Sequence, residues 1–77
     1  MQDINWNDLR YALAIARAGT LAAAARRLGV DETTVARRLA AMEAVLGAQL
    51  FQRTGTGGLQ PIQTGESAVA HAERVEF

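Results

Sequence analysis

Three glycines divide much of the chain into segments of helical length. Gly19, Gly29 and Gly47 each follow a run in which apolar residues recur at helical spacing. Glycine readily adopts the left-handed conformation that ends a helix, and Thr20 and Asp31 suit the capping position that starts one. The pattern predicts short helices that must pack together, because none is long enough to be stable alone. These helices cover residues 6–18, 21–28 and 32–46.

Apolar stripes indicate which faces of these helices are buried. The first helix carries a stripe that starts at Trp6, and we interpret both Trp6 and Tyr11 as packing residues. The second helix is almost all alanine, so neighbouring helices can approach it closely. The third helix has its apolar residues at successive spacings of four, three and four, and they are Val35, Leu39, Met42 and Leu46.

Two short apolar segments after the third helix predict a β-hairpin. Residues 49–54 and 59–62 flank the glycine-rich stretch TGTGG, which is typical of a hairpin connection. Pro61 confines the second strand to an edge of the sheet. From Thr64 onward, SAVAHAERV has the pattern of a fourth helix that lacks a stop signal. We expect that the protein is truncated within this helix and that Glu76–Phe77 derive from a vector.

The composition argues against several classes of protein. The chain has no cysteine, so we expect neither disulfide bonds nor a thiolate metal site. Its longest apolar stretch is far too short to span a membrane, and no signal peptide is recognisable. Ser67 and His71 lack the oriented acid and oxyanion donors of a hydrolase. We therefore expect a cytoplasmic protein that has no membrane partner, is not an enzyme, and binds no cofactor or metal.

The positive charge is concentrated in the middle of the chain. The formal net charge is zero, which on its own argues against a nucleic-acid partner. Residues 9–54, however, hold seven arginines against three acidic residues, a net charge of +4, whereas each flank has a net charge of −2. Arginine offers planar, forked donors that match phosphates and guanine edges. The charge distribution therefore permits DNA as a partner of the central segment.

The third helix carries two pairs of polar residues on the side opposite its apolar stripe. Thr33 and Arg37 are four residues apart, as are Thr34 and Arg38, so each pair shares a face. The short turn at residues 28–31 sets the third helix at a steep angle from the second, so that it projects. Arginine pairs with guanine, and threonine contacts a thymine methyl or a phosphate. Two helices that are joined by a glycine turn and followed by a hairpin predict a mainly α winged helix-turn-helix, with a three-helix core, a two-stranded wing and a fourth, C-terminal helix.

The order of these segments resembles the N-terminal DNA-binding domain of LysR-type transcriptional regulators. The similarity covers residues 4 to about 75, and its most specific parts are A-G-T-L-x-x-A-A-x-x-L and V-x-R-x-L-x-x-M-E-x-x-L-G-x-Q-L-F-x-R-T. The resemblance implies a bacterial regulator that binds double-stranded DNA. Residues 1–62 would form the DNA-binding domain and residues 63–77 the start of a linker helix that pairs two subunits. A small-molecule effector would bind only to a C-terminal domain, which this sequence does not include.

The resemblance also implies which residues contact DNA. The family's recognition positions map to Glu32, Thr33, Ala36 and Arg37, with Thr34 and Arg38 beside them. Its phosphate contacts map to Thr20 and Arg53.

Four positions depart from the family's pattern. Glu32 replaces a frequent glutamine, and in a groove it must accept from a donor such as cytosine N4. Ala36 stands where serine is frequent, Thr56 where the wing often has arginine, and Ile62 where a threonine often caps the linker helix. The alternative hypothesis is a helical protein-interaction module that docks through its second and fourth helices without binding DNA.

Overall fold

Residues 6–75 are the part of the chain that the computed structural model describes, and they form four helices and two strands. No helix in this part of the chain has the length and apolar character needed to cross a membrane. The predicted winged helix-turn-helix architecture is confirmed. In chain order the elements are α1 (Trp6–Ala18), α2 (Leu21–Leu28), α3 (Glu32–Leu46), β1 (Phe51–Arg53), β2 (Leu59–Pro61) and α4 (Gln63–Val75).

The first helix, α1, is the centre of the fold. It contacts each of the other three helices, and Ile15 on its inner face is fully buried. Tyr11 is buried as predicted, but the interpretation of Trp6 as a packing residue is wrong, because its side chain is 41% exposed. Trp6 shares the spacing of Leu9 and Leu13, yet it is the first residue of the helix. A periodic pattern gives the direction of a side chain but not the presence of a neighbour that covers it.

The predicted caps fix the starts of α2 and α3. Thr20 Oγ1 accepts a hydrogen bond of 3.0 Å from the amide of Ala23. The carboxylate of Asp31 accepts one of 3.2 Å from the amide of Thr34. Between these two helices, Gly29 adopts a left-handed conformation with a φ of 75°. The turn of the helix-turn-helix therefore depends on local residues that the sequence identifies.

The predicted apolar stripe of α3 faces the core. Val35 and Met42 are buried. Leu39 and Leu46 are half-buried and pack against the same core cluster. The carboxylate of Glu43 accepts a hydrogen bond of 2.7 Å from the amide of Leu50. This bond ties the last turns of α3 to the chain that enters the wing.

The wing is shorter than the sequence predicts. Its strands pair antiparallel with Phe51 opposite Pro61, and each has three residues rather than the whole of 49–54 or 59–62. Ahead of β1, the side-chain amide of Gln49 donates to the Phe51 carbonyl oxygen at 2.7 Å. Side-chain hydrogen bonds of this kind compete with the strand ladder and limit its extent.

The last helix, α4, begins at Gln63, one residue earlier than predicted. It packs against α1, where the buried Ala72 joins Leu9 and Leu13 in a separate apolar cluster. The interpretation of Glu76–Phe77 as vector-derived lies outside the described residues and stays a prediction.

Candidate nucleic-acid interface

The outward edge of α3 carries the two residues that best match a base-reading role. Thr33 and Arg37 are both exposed, and they lie one helical turn apart on the same face. The buried Val35 and Met42 anchor the opposite side of the helix in the core. The first turns of α3 therefore present a hydroxyl and a guanidinium to solvent from a backbone that packing holds in place.

Thr34 is less available than the sequence pattern indicates. Its side chain is half-buried, and its hydroxyl donates a hydrogen bond to the carboxylate of Asp31. The amide of Thr34 donates to the same carboxylate. Thr34 thus takes part in the cap of α3, and its hydroxyl proton is already used.

Arg38 lies on a different side of α3 from Arg37. The centre of its guanidinium stands 5.5 Å from the centroid of the Tyr11 ring, and its Nη1 atom is 4.0 Å from a carboxylate oxygen of Asp8. Both partners belong to α1. The structure therefore separates two arginines that are adjacent in the sequence, because one points away from the protein and the other rests on α1.

A groove brings together three of the predicted contact residues from three different elements. Thr20 at the start of α2, Glu32 at the start of α3 and Arg53 at the end of β1 line the same hollow of about 310 Å³. Gly57 of the wing turn also lines it. Thr20 and Arg53, which are 33 positions apart in the sequence, thus border one surface. This surface carries the hydroxyl of Thr20, the carboxylate of Glu32 and the guanidinium of Arg53.

A second groove of about 280 Å³ runs between α3 and the wing. Its lining includes the apolar Ala36 and Leu39 and the charged Arg53 and Glu43. Arg53 therefore borders both grooves. The sequence analysis did not predict this groove, which depends on how the wing packs beside α3.

Two hydrogen bonds that the sequence analysis missed shape the turn of the wing. The amide of Gly58 donates a hydrogen bond of 3.0 Å to Thr54 Oγ1, and the amide of Gly57 donates one of 3.2 Å to the Thr54 carbonyl oxygen. Thr56 is exposed at the tip of this turn. The run of glycines between the strands was the available signal, but it does not reveal which glycine approaches another part of the backbone.

The electrostatic environment at the start of α3 keeps Asp31 ionised. The hydrogen bond from the Thr34 hydroxyl lowers the pKa of the Asp31 carboxyl below its ordinary value, and the bond from the Thr34 amide adds to this effect. Arg37 makes a smaller contribution of the same sign. Carboxylates are favoured at helix starts because the free amides there carry partial positive charge.

Comparison with known protein families gives a match over most of the chain. Residues 6–66 match the family described as "Bacterial regulatory helix-turn-helix protein, lysR family". The chain is 55% identical over 49 residues to the Mau operon transcriptional activator of Paracoccus denitrificans, covering 64% of this chain and 17% of that protein. It is 35% identical over 72 residues to the HTH-type transcriptional regulator TcbR of Pseudomonas sp. (strain P51), covering 94% of this chain and 24% of that protein.

Superposition on solved structures shows the same fold. The DNA-binding domain of CbnR, in a crystal structure of its complex with DNA, superposes on this chain with a TM-score of 0.85 and 35% sequence identity. That superposition covers 94% of this chain and 82% of the CbnR domain. The full-length regulator LysG from Corynebacterium glutamicum superposes with a TM-score of 0.84 and 27% identity, over 92% of this chain and 24% of LysG.

Proposed function

Because the chain belongs to the lysR family of bacterial regulatory helix-turn-helix proteins, we propose that α3 enters the major groove of double-stranded DNA and reads base sequence there. The observation that supports this proposal is the groove that Thr20, Glu32 and Arg53 line together. It lies at the start of α3, next to the exposed Thr33 and Arg37. Base-reading and phosphate-binding groups therefore occupy one continuous surface.

The base contacts come from the first turns of α3. Arg37 donates to guanine O6 and N7, and Thr33 contacts a thymine methyl or a phosphate. Glu32 accepts from a base donor in the major groove such as cytosine N4. Ala36, which lines the second groove, adds an apolar contact.

The phosphate contacts come from the residues that flank the recognition helix. Thr20 Oγ1 accepts from the Ala23 amide, and since a hydroxyl has one proton and two acceptor sites, it can still donate to a phosphate. Arg53 is exposed at the end of β1 and gives a charge-assisted bond on the wing side. Thr34 acts indirectly, because its amide and hydroxyl donate to Asp31, which caps the helix that presents these groups.

Self-association is the second part of the proposal. In the full-length protein the surface formed by α1 and α4 pairs two subunits. Ala72 is buried inside this chain, so it is not free to serve a partner, but Val69 is half-buried. Trp6 is exposed and lies one turn before Leu9 on the same face of α1, and Leu9 packs with Val69. A second copy that covers Trp6 would extend this cluster across a two-fold axis.

The chain spans about a fifth of the length of the relatives that it matches. We therefore propose that a further domain of the full-length regulator, rather than this one, binds a small-molecule effector. The role assigned to the present chain is DNA binding in the cytoplasm, without catalysis.

Selection of bound sequences from a pool of random duplexes tests the proposal. We expect the selection to recover a defined motif. The retarded band of a duplex with this motif should weaken as salt rises from about 50 to 200 mM, because arginines that bind phosphates release counterions. Sedimentation of the full-length protein, with Trp6→Ala beside it, tests self-association, which the substitution is expected to weaken. A chain that retards no duplex at low salt would refute DNA binding and favour a protein-interaction module.

A further inference from the structure

We infer that Arg38 is a positioning residue, which fixes the rotation of α3 against α1 through Tyr11 and Asp8 and does not itself bind DNA phosphate. This inference rests on the proposed entry of α3 into the major groove. If the inference holds, Asp8 and Tyr11 affect base discrimination although they lie on α1 and not on the recognition helix.

The spacing along α3 places Arg38 with the core residues. It follows Val35 by three positions and precedes Met42 by four, and both of these residues are buried. Residues at such spacings share one face of a helix. Arg38 therefore extends the buried stripe toward α1, and its partial exposure of 44% comes from its place at the border of that stripe.

Two contacts hold the guanidinium on α1. The ring of Tyr11 is buried and fixed by the core, and its centroid is 5.5 Å from the centre of the charge, within the range of a cation–π interaction. A carboxylate oxygen of Asp8, which is only 19% exposed, lies 4.0 Å from Nη1. An arginine that left for a phosphate would give up both contacts.

The orientation of Arg37 follows from that of Arg38. Adjacent residues of a helix point about 100° apart around its axis. When Arg38 rests on α1, Arg37 is directed outward. Rotation of α3 by a fraction of a turn would move Arg37 away from the base edge it reads, and bidentate pairing tolerates little misalignment.

A comparison of four proteins tests the inference: the wild-type chain, Asp8→Asn, Arg38→Gln and the double variant. Their affinities are measured by fluorescence anisotropy at several salt concentrations, on the selected duplex and on a scrambled duplex of equal length. Two exposed α4 residues supply matched controls, since Glu66→Gln also removes a first-turn acid and Arg74→Gln also removes an arginine.

Asp8→Asn is expected to lower the ratio of selected to scrambled affinity by about twofold and Arg38→Gln by about fivefold, because the first loses only the exposed ion pair and the second also loses the cation–π contact. The double variant should lose less than the sum of the two single variants, because they share one contact, and the salt slope of Arg38→Gln should equal that of the wild type. A mere loss of stability would lower the affinity for both duplexes alike and would leave their ratio unchanged. The control variants should keep the wild-type ratio.

The inference is overturned if Arg38→Gln reduces the salt slope by about 0.9, since that is the signature of a lost phosphate contact. It is overturned equally if Asp8→Asn tightens binding, because Asp8 would then compete with DNA for Arg38. A wild-type chain that binds no duplex would refute the proposed function instead. The contact with α1 is then judged by urea unfolding of the same four proteins, where strictly additive losses of stability would refute it.

Discussion

The amide of Leu59 donates a hydrogen bond of 2.7 Å to the carbonyl oxygen of Gly19. This bond joins the first residue of β2 to the turn between α1 and α2. Because Thr20 follows Gly19 directly, the wing and the start of α2 are fixed relative to each other. The groove between Thr20 and Arg53 therefore has a defined width before any DNA is bound.

Gly58→Ala is expected to weaken DNA binding with little loss of core stability. A Cβ atom at position 58 would lie 2.8 Å from the Gly19 carbonyl oxygen and 3.3 Å from Thr54 Oγ1, so the wing must shift away from Gly19. We expect a loss of about 1–2 kcal/mol in binding free energy, less than a complete charge-assisted hydrogen bond of about 1.5–3 kcal/mol. Affinity for the selected duplex, measured beside the melting temperature, tests this.

Gly55→Ala is the matched control for that variant. Position 55 lies in the same turn, but a Cβ atom there would meet nothing within 4 Å. Equal effects of the two substitutions would contradict the role given to the contact between Gly58 and Gly19.

Gly65→Ala is expected to destabilise the fold, although alanine usually stabilises a helix relative to glycine by about 1 kcal/mol. An added Cβ would lie 2.0 Å from the carbonyl oxygen of Leu50, which already accepts a hydrogen bond of 3.0 Å from the Ile62 amide. The first turn of α4 must then move. We expect a net loss of about 1–3 kcal/mol, as for other over-packed sites.

Thermal unfolding measures this loss, with Ser67→Ala as the control. Ser67 is exposed on the same helix, so alanine there should leave the melting temperature unchanged or raise it slightly. For a domain of this size, 1 kcal/mol corresponds to about 4–8 °C. A melting temperature of Gly65→Ala at or above that of the wild type would contradict the close packing of α4 on Leu50.

The sequence predicts the helices well because their signals are local. Thr20 and Asp31 cap α2 and α3, and Val35 and Met42 are buried as their spacing predicts. Caps and periodicity act within one or two turns, so no knowledge of the tertiary structure is needed.

The sequence analysis is less accurate where distant segments decide the outcome. Trp6 continues an apolar stripe, but it is 41% exposed, because periodicity does not show whether another segment covers a side chain. Arg38 was paired with Thr34 by a spacing of four, although its spacings from Val35 and Met42 also place it toward the core. The contact between Gly58 and Gly19 joins residues 39 positions apart, and no local pattern reports such an approach.

The stability of the domain should depend on the charge of Asp31 in acid. Since the folded-state pKa of Asp31 lies below its ordinary value of 3.8, the ionised carboxylate stabilises the fold. This contribution is fully present above the unfolded-state pKa and is lost as the pH falls through the folded-state pKa.

Asp31→Asn isolates this effect, because asparagine caps a helix about as well as aspartate but carries no charge. We expect the variant to melt below the wild type at neutral pH, and the two curves to converge below about pH 4. Melting temperatures of both proteins, recorded from neutral pH to below pH 4, test this expectation. A difference between the two proteins that stays constant down to the lowest pH would contradict the assignment.

Arg53→Ala is expected to weaken binding to every duplex by a similar factor. If Arg53 binds phosphate from the end of β1, its loss removes a contact that carries no sequence information. The salt slope of log affinity should fall in magnitude by about 0.9. Salt titration on the selected and the scrambled duplex measures both effects, and a change in the ratio of the two affinities would instead place Arg53 at a base.

Arg37→Ala, unlike Arg53→Ala, is expected to weaken binding to the selected duplex much more than binding to the scrambled duplex. Arg37 is exposed on the outward edge of α3, where a bidentate pair with guanine is worth about 1–3 kcal/mol of discrimination. Its removal should cost about that much on the selected duplex, cost much less on the scrambled duplex, and relax base choice at one position. A repeated selection with the variant identifies this position, and Arg74→Ala on α4 controls for the lost positive charge. Equal losses on both duplexes would mean that Arg37 touches only phosphate and that another residue of α3 reads the sequence.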